Sequence, residues 1–290
     1  MATKGSKGGD VLVRNTAQED FPRIRELARA VYPEERPYTD EYLQSQVDAF
    51  PEGQWVAVEV DTQAVLGMAA SLIVNWNDYH FEASWGEVTG GGFLTTHDPS
   101  GRTLYGADLM VHPNTRGRGI GRMIYAARRD LAIRKKLLRI RAGARLRGYH
   151  AYADRLTPEE YAIKVVQGEL HDPTVSFQLR RGFHVIAVVR DYNPGDAESL
   201  GHAALIEWIN HRVAKRRHYA GRDPRFQRFI PKPPESTGDD SEVSGRVLRA
   251  EPEPKSAEPK SAEPRRSESR HAPVVDPAVP QVRESPRQGA

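Results

Sequence analysis

The chain contains no cysteine. Disulfides, thiolate metal sites and a cysteine nucleophile are therefore excluded. Long apolar runs are missing too. The longest, Val65 to Val74, is half of the roughly 20 residues a membrane span needs. The opening MATKGSKGGD lacks the apolar stretch of a secretory signal. These absences predict a soluble cytoplasmic protein with no membrane partner and no bound metal.

Aromatic residues are absent from the last 60 positions, 231–290, which hold 11 of the 21 prolines and the direct repeat KSAEP-KSAEP at 255–264. A segment so poor in large apolar groups cannot offset its ordering entropy by burial. A disordered low-complexity tail is expected there, with a disordered N-terminus over 1–10. Between them, 11–211 reads as one folded domain, followed by a basic extension over 212–230, for which a helix continuing from the last strand is one reading. That extension holds seven Arg or Lys against Asp223 within 212–228. Acidic residues are nearly missing from one further stretch. Positions 116–147 carry 12 basic side chains and a single acid, Asp130, whereas 1–115 carry 8 basic and 17 acidic ones. A local net charge of +11 by that count points to an anionic partner.

Hydrophobic periodicity orders the rest. Val11–Arg14 reads as a strand, 17–31 as a helix, and Thr39 as the cap of a second helix. Trp55–Val60 and Val65–Val74 read as a hairpin. The stretch Asn75–Arg102 shows no sustained period and reads as an excursion of loops with room for a short strand. A strand at Leu104–Val111 then leads through a glycine-rich turn to a helix over about 119–137. A strand over 138–149 follows, with helix starts at Thr157-Pro158 and Asp172-Pro173, a C-terminal glycine at Gly182, and strands at Val185–Val189 and Ala203–Ile209. The class predicted is α+β, a mixed, mostly antiparallel twisted sheet flanked by helices.

The sharpest feature is the turn Arg116-Gly117-Arg118-Gly119-Ile120-Gly121 between a strand and a helix. A helix start leaves backbone N–H groups unpartnered, and its dipole favours negative charge. Glycines let backbone approach a phosphate closely, and Arg116, Arg118 and Arg122 add charge at the same point. A pyrophosphate suits such a turn. The Gly-Lys-Ser/Thr of a Walker loop is absent, and the spacing G-x-G-x-G, a hundred residues into the chain, is not that of a dinucleotide fingerprint.

The run LYGADLMVHPNTRGRGIGRMIYAARRD resembles the central motif of the GNAT acyltransferase superfamily, and the order of elements over 11–210 is similar to that fold. The resemblance implies that the turn holds the pyrophosphate of acetyl-CoA or another acyl-CoA, through Arg116, Gly117, Arg118, Gly119, Ile120, Gly121 and Arg122. It also implies that Leu109, Met110 and Val111 offer backbone groups to the pantetheine arm and the thioester. A narrower likeness, carried by WGEVTGGGFLTTH, YADRLTPEEYAIKVVQGE and DPTVSFQLRRGF, is to the GNAT-type domain found fused to carbon–nitrogen hydrolases. A relative without that hydrolase is expected here.

Acyl transfer to an amine needs a polarised thioester carbonyl, a neutral nucleophile and a fixed orientation. A backbone N–H near Met110 or Val111 suits the first. Candidate bases for the second are Asp108, Glu87, His97 and His150. Many members of the family use a tyrosine acid four residues before the glycine that ends the last helix; here that position is Gln178, leaving Tyr125, Tyr149, Tyr152 or water as donors. Arg128 or Arg129 could reach the coenzyme's 3′-phosphate, and Trp76, Trp85 and Tyr152 could line the acceptor pocket. The expectation is an N-acetyltransferase joining acetyl-CoA to an amine, small molecule or protein, in a ternary complex. Two alternatives stay open: a catalytically weak coenzyme-binding module, suggested by Gln178, and a basic nucleic-acid- or ribosome-associated protein.

Overall fold

A computed structural model describes residues 9–33, 38–115, 117–219 and 222–227. Seven strands form one sheet: β1 (Val11–Asn15), β2 (Trp55–Glu59), β3 (Val65–Val74), β4 (Thr103–Val111), β5 (Arg139–Arg145), β6 (His184–Val189) and β7 (Ala203–Ile209), in the order β1-β2-β3-β4-β5-β7-β6. All neighbours are antiparallel except β4 and β5. The mixed, mostly antiparallel sheet read from the sequence is thus the one the chain adopts. β3 lies between β2 and β4 in the interior of this order, and all ten of its residues are buried, which is why its sequence runs apolar without alternation.

Helices cover both faces. On one lie α4 (Ile120–Arg134), α5 (Pro158–Gln167) and α6 (Val175–Arg180), whose Ile120, Ile124, Leu131, Tyr161, Val165 and Val175 pack on Leu104, Ile140 and Ile206. On the other lie α1 (Phe21–Val31), α2 (Asp40–Ala49) and α3 (Trp85–Thr89). α1 buries Phe21, Ile24, Leu27 and Ala28 at helical spacing against Val56, Met68 and Ala70. Caps sit where the sequence places them. Thr39 accepts from the Tyr42 N–H, and Thr157 and Glu160 form a reciprocal box with Pro158 in the first turn.

The excursion 75–102 contains no strand among its described residues; it holds a short helix, α3. The reason is local. Ser84 and Glu87 form a capping box, and Gly90, Gly91 and Gly92 end the helix with φ of 61°, 66° and 89°. The strand expected over 138–149 stops at Arg145, and the helix expected to reach 137 stops at Arg134. Among the described residues after Asn210 there is no α-helix but two short 3-10 turns, Arg216–Tyr219 and Pro224–Phe226, the second burying Phe226 in the main core. The tail 231–290 and most of the N-terminal segment 1–10 lie outside the described residues.

Candidate functional site

The parallel pairing of β4 with β5 covers only Thr103–Tyr105 and Arg139–Arg141, although β4 runs on to Val111 and β5 to Arg145. The two strands therefore part company after Tyr105. At the same level β4 is bulged: its register with β3 shifts between Ala70, opposite Asp108, and Ser71, opposite Gly106. A bulge re-aims side chains and leaves backbone groups out of the ladder. Those carbonyls are caught from both sides. The Trp85 indole N–H donates to the Ala107 carbonyl at 2.8 Å, and Arg128 Nη2 donates to the carbonyls of Asp108 (2.7 Å) and Ala70 (3.0 Å).

Asp108 sits on this bulge, on the α1–α3 side, partly exposed. The Tyr38 hydroxyl donates to its Oδ2. Burial pushes the carboxyl above the ordinary carboxylate range, against the opposing pull of the Tyr38 bond, the Leu109 N–H and the charges of Arg128 and Arg145. A carboxylate so placed is a stronger base than a solvated one. Leu109 and Val111 pack toward the α4 face, and Met110 is buried on the opposite one.

The glycine turn follows β4 and opens α4. Gly117 and Gly119 have φ of 85° and 76°, and a Cβ at Gly117 would meet nothing within 4 Å. Gly119 is the N-cap of α4, so the first N–H groups of a 15-residue helix face this open turn. The Arg122 guanidinium lies over it, 3.7 Å from where a Gly119 Cβ would be. Space, donors and charge together fit a phosphate group. Gly121 serves differently: it lets Phe177 of α6 approach, 3.3 Å from its would-be Cβ, while Ile120 is buried beneath. Arg118 is turned back toward the start of β1 and the end of β2, donating to the Gly9 carbonyl at 2.7 Å and pairing with Glu59 at 2.9 Å. Arg116 lies outside the described residues.

Three of the four candidate bases are elsewhere or otherwise used. Glu87 closes the α3 capping box, accepting from the Ser84 N–H and hydroxyl at 2.7 Å, which lowers its pKa. His97 stacks on Phe50 and accepts from the Ile73 N–H through Nδ1, at the β4 end where the strands are still paired. Burial lowers its pKa. His150 is exposed and bonds the Glu198 carbonyl. Asp108 alone of the four meets the bulge.

Arg128 is not a surface cation reaching for a coenzyme phosphate. Only 1% of it is exposed, because it follows Ile120 and Ile124 at intervals of four on the buried stripe of α4. That spacing was the available signal, and a positive charge on an apolar stripe hid it. Arg129 is half-buried against Phe183 and Trp208. Gln178 donates to the buried Tyr125 hydroxyl, and the Arg128 guanidinium lies 5.5 Å from the Tyr125 ring. Tyr149 donates to the Leu156 carbonyl and Tyr152 packs on Tyr161, so neither joins them. Of the pocket aromatics, Trp85 touches the bulge, Trp76 stacks on Tyr105, and Tyr152 belongs to the opposite core. The described residues contain no cluster of potential metal ligands and no helix long and apolar enough to cross a membrane.

Residues 21–153 match the family model described as "Acetyltransferase (GNAT) family". An "Uncharacterized N-acetyltransferase YkwB" of Bacillus subtilis (strain 168) is 32% identical over 210 residues, 71% of this chain and 92% of that protein. A "Probable hydrolase YhcX" of the same organism is 37% identical over 200 residues, 69% of this chain. The match spans only 39% of that longer protein. Among solved structures, the loading GNATL domain of CurA from Lyngbya majuscula superposes with a TM-score of 0.59 at 18% identity, covering 69% of this chain and 97% of that one. The GphF GNAT-like decarboxylase in complex with isobutyryl-CoA gives 0.56 at 20% identity, covering 68% and 98%. At those identities the two structures establish the fold alone.

Proposed function

The chain belongs to the GNAT acetyltransferase family, and from that premise we propose that it transfers an acetyl or related acyl group from acyl-CoA to an amine by direct attack in a ternary complex. The observation that carries this reading is the parting of β4 from β5 after Tyr105, with Asp108 on the bulge and the open glycine turn at the end of the same strand. The turn and Arg122 hold the pyrophosphate, and backbone of Leu109–Val111 lies along the pantetheine arm. A backbone N–H near Met110 or Val111 polarises the thioester carbonyl.

Asp108 accepts the proton that the attacking amine must lose. The amine nitrogen bonds the acyl carbon, the C–S bond breaks, and the sulfur leaves with its electron pair. In this reading Tyr125, whose hydroxyl accepts from Gln178, returns a proton to that sulfur in place of the tyrosine the sequence lacks at 178. The full chain, given acetyl-CoA and an amine panel, is expected to release free thiol, and Asp108→Asn to slow the release by about 10²- to 10⁴-fold while retaining coenzyme binding. Tight acetyl-CoA binding with no turnover on any amine would favour the coenzyme-binding module instead.

A further inference from the structure

The other end of the β4–β5 pair, where the strands are still joined, gathers cations that acyl transfer does not use. Glu207 of β7 is buried, 3% of its side chain exposed, and faces Arg141 in register. Its Oε2 accepts from Arg139 Nη1 at 3.0 Å and from Arg141 Nε and Nη2 at 3.0 and 2.8 Å, and its Oε1 from Arg222 Nη2 at 2.8 Å. One carboxylate thus serves three guanidinium groups. Arg139 Nε, Arg141 Nη1 and Arg222 Nε are left without partners. Further cations join Arg139 at the surface: Arg217, Arg102 and Lys215 act with it on His218, whose pKa desolvation and these charges lower.

Aromatic rings alternate with these cations. The Arg141 guanidinium lies 4.5 Å from the Trp76 ring and 5.5 Å from Phe81. Arg222 lies 5.6 Å from Tyr219, which in turn stacks on His211 at 6.0 Å and 9°. Phe81 is 53% and Tyr219 37% exposed, two of the five large apolar side chains so presented among the described residues. Both stand beside an arginine tied to Glu207.

We propose that this face binds single-stranded nucleic acid, with phosphates on Arg139, Lys215, Arg217 and Arg222 and unpaired bases against Phe81 and Tyr219. Excess guanidinium charge supplies the sequence-independent attraction. Exposed rings next to it supply stacking, which only unpaired bases can use. An acidic peptide would use the charges and leave the rings without a role. The site is separate from the glycine turn, since the turn follows the C-terminal end of β4 and this face adjoins its N-terminal end.

The test is fluorescence anisotropy of a labelled 20-residue oligouridylate RNA with the full chain, over a salt series, with and without saturating acetyl-CoA. Binding is expected with a log–log salt slope near −3, about 0.7 for each of four phosphates, and no competition from acetyl-CoA. Lys215→Ala with Arg217→Ala should weaken binding about tenfold and flatten the slope by roughly 1.4. Phe81→Ala with Tyr219→Ala should weaken it by about tenfold or more without changing the slope. Both pairs are surface changes whose folding is checked by Tm. No binding at low salt would overturn the proposal, as would competition by acetyl-CoA. Equal affinity for duplex RNA, polyglutamate or phosphatidylserine vesicles, with Phe81 and Tyr219 dispensable, would do the same by reducing the face to a general polyanion surface.

Discussion

The two ends of the β4–β5 pair are built from neighbouring parts of one basic stretch, yet their charges end up in different states. Toward the glycine turn, Arg122 lies over the open turn while its neighbours are consumed by the fold. Arg128 holds two carbonyls at the bulge, Arg118 pairs with Glu59, and Arg145 is gripped by Asp196 with Glu198 beside it. At the other end Arg139 and Arg141 share Glu207 with Arg222, and positive charge remains in excess. The acids that neutralise the first group come from positions 59, 196 and 198, far from the basic run in sequence. Charge along a chain is therefore a poor map of charge on a surface. What counts is which partners the topology brings to each end, and where backbone leaves groups to be satisfied.

Changes at the bulge should have the largest effects. Asp108→Asn should lower kcat by about 10²- to 10⁴-fold, the usual contribution of a general base, with acetyl-CoA affinity kept; full turnover at every pH would remove Asp108 from the mechanism. Because burial raises the Asp108 pKa, protonation as pH falls should switch activity off at a pH above the ordinary carboxylate range, and turnover should recover as pH rises through that value. An acid limb at or below that range would contradict the environment described for Asp108.

Arg128→Met should come next. It leaves the Ala70 and Asp108 carbonyls without their donor, at a cost of about 2–4 kcal/mol, read as a lowered Tm. It should also move the acid limb of activity upward, since Arg128 favours the ionised Asp108. Unchanged stability would mean the clamp contributes nothing to the bulge.

Gly119→Trp tests the turn. Its φ of 76° and the bulk added over the helix start should weaken acetyl-CoA binding about 30-fold, near 2 kcal/mol. Glu87→Gln should do least: a loss of at most about 1 kcal/mol in stability from the weakened capping box, with catalysis unchanged. A large loss of kcat in that variant would return Glu87 to the site.

Much of the fold was legible in the chain because its signals are local. Alternation and run length gave six of the strands nearly in place, and Thr39, Thr157 and Gly182 mark helix ends. The α3 helix was hidden although its Ser84–Glu87 box is also local, because five residues carry too little periodicity to stand out. At the site, the glycine turn was readable from spacing, while the choice among Asp108, Glu87 and His97 was not. That choice depends on register: a shift between Ala70 and Ser71 puts Asp108 on the bulge, and no short-range pattern encodes it. Arg128 was misplaced for a related reason, since a guanidinium on an apolar stripe is acceptable only where bulged carbonyls wait beneath it.

Isothermal titration of acetyl-CoA into the full chain tests most directly the claim that the glycine-turn end of β4 is the coenzyme site. One-to-one binding at micromolar affinity, weakened by Gly119→Trp and untouched by Lys215→Ala with Arg217→Ala, is the result predicted. A folded protein that does not bind acetyl-CoA, or that binds it equally well with Gly119→Trp, would contradict it.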